Sequence, residues 1–233
     1  MTDRCVAILP AGGTGSRFGT ERPKQFTLLC GQPLLFHAIQ ALLQDVRVQA
    51  IYVALSPEYQ DFLDWEAWQG RVHPVSCAGK TRSATVGNAL NHLASELAPS
   101  DWVLVHDAAR PCLSRLALTR LLDAVWEDAV GGLLAVPVAD TLKLAASTGR
   151  VAHTVDRRQL WAAQTPQMFR YGVLRQALQG LPEATDEASA MEALGYHPLL
   201  VLGDPLNIKV TFPEDRLLAQ LGLGVHQARQ ETT

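Results

Sequence analysis

The chain has 233 residues, which is long enough for one large α/β domain and short for two. Hydrophobic residues make up 48% of it, yet no apolar stretch approaches the ~20 residues that cross a bilayer, so a membrane protein is excluded. A net charge of −3 without a basic stripe argues against a nucleic-acid partner, and four scattered cysteines suggest neither a zinc site nor a disulfide framework.

Short apolar runs alternate with helical patterns from the N-terminus onward. The start of the chain carries no secretory or transit segment, so we expect a cytoplasmic protein. Helical spacing of apolar residues predicts helices over 33–43 and 83–97. Strands are predicted over 5–9, 50–55, 71–76, 102–106, 132–138 and 197–202. Strands of this nearly all-apolar kind, alternating with helices, indicate an α/β fold with a mostly parallel sheet covered on both faces.

Ligands of such a sheet bind beyond the carboxyl ends of its strands, so the loops that follow strands are the first candidate sites. The loop after the first strand reads LPAGGTGSRFG, residues 9–19, and continues into ERPKQF. Glycines let backbone N–H groups approach an anion, and Arg17, Arg22 and Lys24 add positive charge. This density suits a triphosphate or the charge that develops at phosphorus during transfer, although a merely structural turn stays an alternative.

Two familiar nucleotide motifs do not fit the glycine-rich loop or its neighbours. A dinucleotide fingerprint needs a third glycine where Phe18 stands. The segment AGKT at 78–81 matches the second half of a P-loop, but Pro74 occupies the position of its first glycine. Both motifs are therefore disfavoured.

A carboxylate follows the predicted strand at 102–106. Asp107 can meet a magnesium-bound nucleotide or accept from a ribose hydroxyl; alternatively it caps the helix that begins near Ser114 or pairs only with Arg110. His106 is interpreted as a core residue or as a residue that supports the site from behind, rather than as a base.

The segment over 141–155 alternates apolar and polar residues around Ser-Thr-Gly, which predicts a β-hairpin. A two-stranded ribbon is marginal alone, so it must lie on its own body or on a second subunit; the second case predicts a dimer.

Two further segments carry polar candidates near the C-terminus. ATDEAS predicts a helix start with Thr185 or Asp186 as the cap and with Glu187 and Glu192 facing water. Lys209 is predicted on a short apolar strand, where solubility explains it poorly.

Six ordered motifs spanning nearly the whole chain resemble those of the 2-C-methyl-D-erythritol 4-phosphate cytidylyltransferases: PAGGTGSRFG…PKQF, VHDAARP, PVADTLK, HTVDR…QTPQ, TDEAS and NIKVT. The resemblance implies a Rossmann-like, nucleotidyltransferase or glycosyltransferase-A-like sheet in a single domain over 1–233. It also implies a projecting β-arm at 139–158 that forms a homodimer. The implied reaction joins CTP and 2-C-methyl-D-erythritol 4-phosphate with release of pyrophosphate, and Mg²⁺ accompanies CTP.

The resemblance also implies residue roles, by matching position in the motifs. Arg17 and Lys24 would stabilise charge at the α-phosphate, while Arg157 from the partner's arm and Lys209 would position the substrate phosphate. The residues contacting the cytidine would be Ala11, Gly12, Gly79 and Thr85. Those lining the join between nucleotide and methylerythritol would be Asp107, Arg110, Thr141 and Thr165, with Thr185 at its edge.

No metal ligand is assigned by the resemblance, and two positions depart from the family. Lys80 stands where an acidic residue is common, and Ser16 where a second arginine is common. The alternative functions are a ribitol 5-phosphate cytidylyltransferase and a non-catalytic nucleotide-binding regulator.

Overall fold

A computed structural model describes residues 3–13, 23–61, 68 and 70–231. The strands in these residues are β1 (Cys5–Pro10), β2 (Leu28–Leu29), β3 (Gln32–Pro33), β4 (Ala50–Leu55), β5 (Val72–Ser76), β6 (Trp102–Val105), β7 (Gly131–Pro137), β8 (Lys143–Ala145), β9 (Val151–Thr154), β10 (Trp161–Arg170) and β11 (Leu199–Leu202). The α-helices are α1 (Leu34–Leu42), α2 (Arg82–His92), α3 (Arg115–Val125), α4 (Tyr171–Gly180), α5 (Glu187–Ala193) and α6 (Asp215–Glu231).

Seven strands form one sheet in the order β11-β7-β10-β6-β1-β4-β5. The pairs β1–β4, β1–β6, β4–β5 and β7–β11 are parallel, and β10 is antiparallel to both of its neighbours. The predicted α/β fold with a mostly parallel sheet is therefore confirmed. All six predicted strands are present, with ends shifted by at most two residues.

Both faces of the sheet are buried at its centre, which explains why β1, β4 and β6 are apolar throughout. Along β1, Cys5, Ala7 and Leu9 face a core shared with α1 and α3. Val6 and Ile8 face the opposite core, shared with α2, α4 and α5. Alternate side chains of a strand point to opposite faces, so a strand covered on both sides needs an apolar residue at every position.

Strand β10 was not predicted. Its sequence WAAQTPQMFR carries glutamines and a proline, and its pairing with β7 shifts register between Ala163 and Gln167. The intervening residues thus leave the regular ladder, which hides the period of a strand from the sequence. This break in the regular strand pairing lies beside the candidate site.

The predicted hairpin is confirmed as β8 and β9, which pair antiparallel with every residue exposed. No helix in the described ranges is long and apolar enough to cross a bilayer.

Candidate active site

The candidate site is a cleft of about 480 Å³ beyond the carboxyl ends of β1, β5 and β6. It lies where parallel strands of a sheet present their ends and where the loops that follow them converge. Its lining residues come from these loops, the start of α2 and one distant loop: Pro10, Ala11, Gly12, Gly13, Lys24, Gln25, Gly79, Lys80, Thr81, Arg82, Thr85, Asp107, Ala108, Ala109 and Lys209.

The loop after β1 is fixed by a buried glutamine. Gln25 Nε2 donates to the carbonyl oxygens of Ala11 at 2.6 Å and of Gly13 at 2.9 Å. A Cβ at Gly12 would collide with the Cβ of Ala78, so only glycine allows the two loops to approach so closely. The backbone of this wall of the cleft is therefore held in place before any ligand arrives.

The loop before α2 is held in a similar way by Thr85. Its hydroxyl donates to the carbonyl of Thr81 at 2.9 Å and accepts from the N–H of Gly79 at 2.9 Å. A Cβ at Gly79 would lie 2.7 Å from that of Ala84, so the loop packs tightly on the helix. The buried hydroxyl of Thr85 thus shapes the loop, while Lys80 is exposed at the rim of the cleft.

Asp107 is the centre of an ionic cluster on the opposite wall. Its Oδ2 lies 2.7 Å from Nζ of Lys209, its Oδ1 accepts from Nε of Arg82 at 2.6 Å, and Nε of Arg110 lies 3.9 Å from Oδ2. Burial alone raises the pKa of Asp107, but the charges of Arg82 and Lys209 outweigh it and hold the pKa well below its ordinary value. The carboxylate is therefore anionic and already engaged by cations.

Two members of this cluster, Arg82 and Glu187, were not predicted from the sequence. Nη1 and Nη2 of Arg82 donate to the two carboxylate oxygens of Glu187 at 2.7 and 3.0 Å. The prediction that Glu187 faces water is wrong, because the residue is fully buried, whereas Glu192 is exposed as predicted. The one available signal was Arg82 itself, since a cation in the first turn of a helix opposes the helix dipole and needs a partner.

Thr165 lies behind Asp107, at the irregularity of β10. Its Oγ1 accepts from the N–H of Asp107 at 3.0 Å and lies 3.0 Å from Nδ1 of His106, whose Nε2 is 3.1 Å from the carbonyl of Arg110. Burial lowers the pKa of His106 to about 4, so the ring is neutral. Because a carbonyl only accepts, Nε2 carries the proton, and the Thr165 hydroxyl donates to Nδ1. The core interpretation of His106 fits this geometry, since the ring orders the Asp107 loop.

Two lysines from distant parts of the chain meet the cleft. Lys24, in a short 3-10 helix Lys24–Phe26, donates from Nζ to the carbonyl of Val210 at 2.8 Å. That bond joins the loop after β1 to the loop that carries Lys209. The prediction that Lys209 lies on a strand is wrong: the residue is in a loop between β11 and α6, where its side chain is 40% exposed and reaches Asp107.

A family model described as 2-C-methyl-D-erythritol 4-phosphate cytidylyltransferase matches residues 5–224. The chain belongs to this family. The protein of that name from Bordetella petrii is 54% identical over 92% of this chain and 96% of its own length. The one from Dechloromonas aromatica is 50% identical over 94% of this chain and 96% of its own. A crystal structure described as 4-diphosphocytidyl-2C-methyl-D-erythritol synthase superposes with a TM-score of 0.84 at 40% identity, covering 96% of this chain and 99% of that one.

Of the residues that the cytidylyltransferase resemblance singles out, the structure brings Ala11, Gly12, Lys24, Gly79, Thr85, Asp107 and Lys209 to the cleft. Arg110 and Thr165 lie directly behind Asp107 and do not line the cleft. Arg110 is held there by its Nη1, which donates to the carbonyl of Asn207 at 2.6 Å.

Three of the remaining predicted site residues, Thr141, Arg157 and Thr185, lie away from the cleft in the single chain. Thr141 is exposed at the base of the β8–β9 hairpin, and exposed Arg157 donates to the carbonyls of Val138 and Ala139 at the same place. Thr185 is exposed and donates to the hydroxyl of Ser189 at 3.2 Å. Arg17 lies outside the described residues.

Proposed function

We propose that the chain transfers the cytidylyl group of CTP to 2-C-methyl-D-erythritol 4-phosphate and releases pyrophosphate. The observation that carries this proposal is the cleft of a member of that family, which Lys24 and Lys209 line together with the backbone of Gly12, Gly13 and Gly79. A phosphate oxygen of the polyol phosphate attacks the α-phosphorus in line, and the bond to pyrophosphate breaks.

The lining of the cleft fits a reaction that needs no general base. A phosphomonoester oxygen is already a nucleophile at neutral pH, so the protein must align two anions and neutralise charge at phosphorus. Among the described residues, the lining contains no histidine and no glutamate, and its one carboxylate, Asp107, is held by cations. In this proposal Arg17 and Lys24 stabilise the α-phosphate, and Lys209 with the partner's Arg157 positions the acceptor phosphate.

Cytidine recognition is assigned to the glycine-containing walls of the cleft. Backbone groups of Ala11, Gly12 and Gly79 would contact the nucleoside, with Thr85 fixing the shape of the second wall. Arg110, Thr141, Thr165 and Thr185 would order the methylerythritol side, directly or through their neighbours.

Magnesium is proposed as the ion that arrives with CTP. Nucleotide-bound Mg²⁺ typically takes one or two protein carboxylates and completes its shell with phosphate oxygens and water. The described residues contain no cluster of three ligating side chains, and Asp107 is the one carboxylate lining the cleft, so the residues fit an ion held chiefly by the nucleotide. When bound, the ion would neutralise phosphate charge, and Asp107, whose two oxygens are engaged by Arg82 and Lys209, would meet it through a water molecule.

The remaining expectations belong to the same proposal: a single domain over 1–233, a homodimer formed through an arm at 139–158, and a cytoplasmic location. Exposed apolar residues on the hairpin support the dimer, since Leu142, Leu144 and Val151 lack cover in the single chain.

Release of pyrophosphate by the purified protein tests the function. We expect release with CTP and 2-C-methyl-D-erythritol 4-phosphate and little with ribitol 5-phosphate. Pyrophosphate release with ribitol 5-phosphate but not with 2-C-methyl-D-erythritol 4-phosphate would identify ribitol 5-phosphate as the acceptor. CTP binding without pyrophosphate release with either acceptor would favour a nucleotide-binding regulator.

A further inference from the structure

Glu187 is a buried charge with no access to the cleft. It is the first residue of α5 and is fully buried, whereas Arg82, Asp107 and Lys209 all line the cleft. A buried carboxylate costs free energy unless it is paired and hydrogen-bonded, and such pairs are weak evidence for stability in themselves. The arrangement of the four charges suggests another use for it.

The four side chains form one line of alternating charge: Glu187, Arg82, Asp107 and Lys209. The guanidinium of Arg82 is divided between two carboxylates, with Nη1 and Nη2 on Glu187 and Nε on one oxygen of Asp107. Lys209 then occupies the other oxygen of Asp107 at 2.7 Å. Because Glu187 takes the fork of Arg82, the arginine cannot grip both oxygens of Asp107 at once.

The position of Glu187 is fixed from both sides by one glutamine of β10. Oε1 of Gln167 accepts from the N–H of Ala188 at 2.8 Å, and its Nε2 donates to Oδ2 of Asp186 at 2.8 Å. Asp186 also caps α5, through the N–H of Ser189 at 2.9 Å. The residues before and after Glu187 are thus tied to the central sheet, which orders the carboxylate against Arg82.

We propose that Glu187 is a positioning residue of the transfer reaction, because it holds Arg82 on one oxygen of Asp107 and so leaves the other to place Lys209 at the phosphates. This inference rests on the proposed function. Without the charge of Glu187, Arg82 swings its fork to Asp107 and displaces Lys209, while the cluster gains one positive charge. The extra charge attracts the triphosphate, so ground-state binding survives while the alignment needed for transfer is lost.

The test compares steady-state kinetics of Glu187→Gln with those of the native protein, using CTP and 2-C-methyl-D-erythritol 4-phosphate. We expect kcat to fall by about 10-fold or more while KM for CTP stays the same or falls. Glu192→Gln, an exposed change on the same helix, is the matched control and keeps native kinetics. A kcat within about twofold of native in folded Glu187→Gln overturns the proposal.

A double-mutant cycle asks whether Glu187 acts through Arg82. Arg82→Gln should lower kcat, and adding Glu187→Gln should lower it no further. The double variant should also melt at a higher temperature than Arg82→Gln, because it no longer carries the carboxylate of Glu187 buried without a partner. If the factors by which the two single substitutions lower kcat multiply in the double variant, Glu187 does not act through Arg82 and the inference is overturned. If Glu187→Gln does not fold, Glu187→Asp replaces it: the shorter side chain loses the two-pronged contact, so a native kcat there contradicts the proposal.

Native activity separates this inference from the function. A native protein that releases no pyrophosphate refutes the proposed function, whereas an active native protein with an equally active folded Glu187→Gln variant refutes only the role of Glu187.

Discussion

The ionic cluster at Asp107 and the β8–β9 hairpin show two opposite ways of using charge and apolar surface. In the cluster, the buried carboxylates of Asp107 and Glu187 find their ionic partners within the chain, in Arg82 of α2 and Lys209 of the loop before α6. On the hairpin, the ion pair Asp156–Arg158 is solvent-exposed and the apolar side chains have no cover. The contrast teaches that the charges of the cluster are neutralised within the fold, whereas the apolar side chains of the hairpin stay exposed in the single chain.

The largest expected effect is on stability, from removing the shared cation of the cluster. Arg82→Ala leaves the carboxylate of Glu187 buried without its partner and leaves Asp107 paired chiefly with Lys209, so we expect the free energy of unfolding to fall by about 3–5 kcal/mol in denaturant titration. Arg158→Ala on the hairpin is the matched control, and no measurable change is expected there. Equal losses in the two variants would erase the proposed contrast.

A fall in pH should lower the free energy of unfolding through the protonation of His106, which lies behind the cleft. Its folded pKa of about 4 lies below the ordinary value of 6.5, so the unfolded chain binds the proton first as the pH falls. The contribution of neutral His106 to the free energy of unfolding is about 3 kcal/mol. It is fully present above pH 6.5 and is lost as the pH falls towards 4. Asp107, whose pKa is also lowered, adds a further loss below the ordinary carboxylate range.

Urea titrations at pH 7, 6 and 5 measure this linkage. The slope of unfolding free energy against pH should be shallower in His106→Gln, whatever that variant's absolute stability. A native slope that persists without the imidazole would assign the acid sensitivity to other groups.

Turnover should separate Lys24 from the hairpin lysine. Lys24→Ala should lower kcat by about 10²-fold, more than it weakens CTP binding, because the charge is needed most at the transition state. Lys143→Ala removes an exposed hairpin lysine that donates to Thr154 and should leave kcat unchanged. Arg17→Ala should resemble Lys24→Ala. Equal losses of turnover and CTP affinity would indicate that Lys24 only binds.

The smallest expected effect on stability comes from deleting 141–155. The hairpin buries none of its own strand residues, so the rest of the chain should unfold within about 1 kcal/mol of native protein diluted until it is monomeric. Its effect on assembly should be complete: we expect monomers in sedimentation velocity for the deletion variant and dimers for the native protein. A deletion variant that sediments as the native protein does would remove the dimerisation role of the arm.

Local patterns predicted six of the seven strands of the sheet, helix α1 and much of the cleft, while the helix predicted over 83–97 is shorter, as α2 ends at His92. The bounds of β4 were predicted without error, and α1 differed by one residue at each end, because a fully buried strand and an amphipathic helix each show their period within a few residues. The predicted start of α5 was also sound, since Asp186 caps it. Strands, helices and caps could be predicted because the residues that form them lie close together in the chain.

The wrong and missing predictions share one cause, which is that the partner of each residue lies far away in the sequence. Glu187 at the first position of a helix matches the common exposed acid there, and its burial depends on Arg82, 105 residues earlier in the chain. Strand β10 was missed because its period is broken at the place where Thr165 reaches Asp107, 58 residues away. Lys209 attracted notice as a lysine among apolar residues, but the sequence did not indicate that Asp107 would be its partner.

The sequence by itself determined the α/β pattern, the hairpin and the positively charged glycine-containing loop, because each depends on residues close together in the chain. Only the tertiary structure decided which charges neutralise one another. Ion pairs form between groups that the fold brings within a few ångströms, and the distance between two residues along the chain carries no record of that encounter.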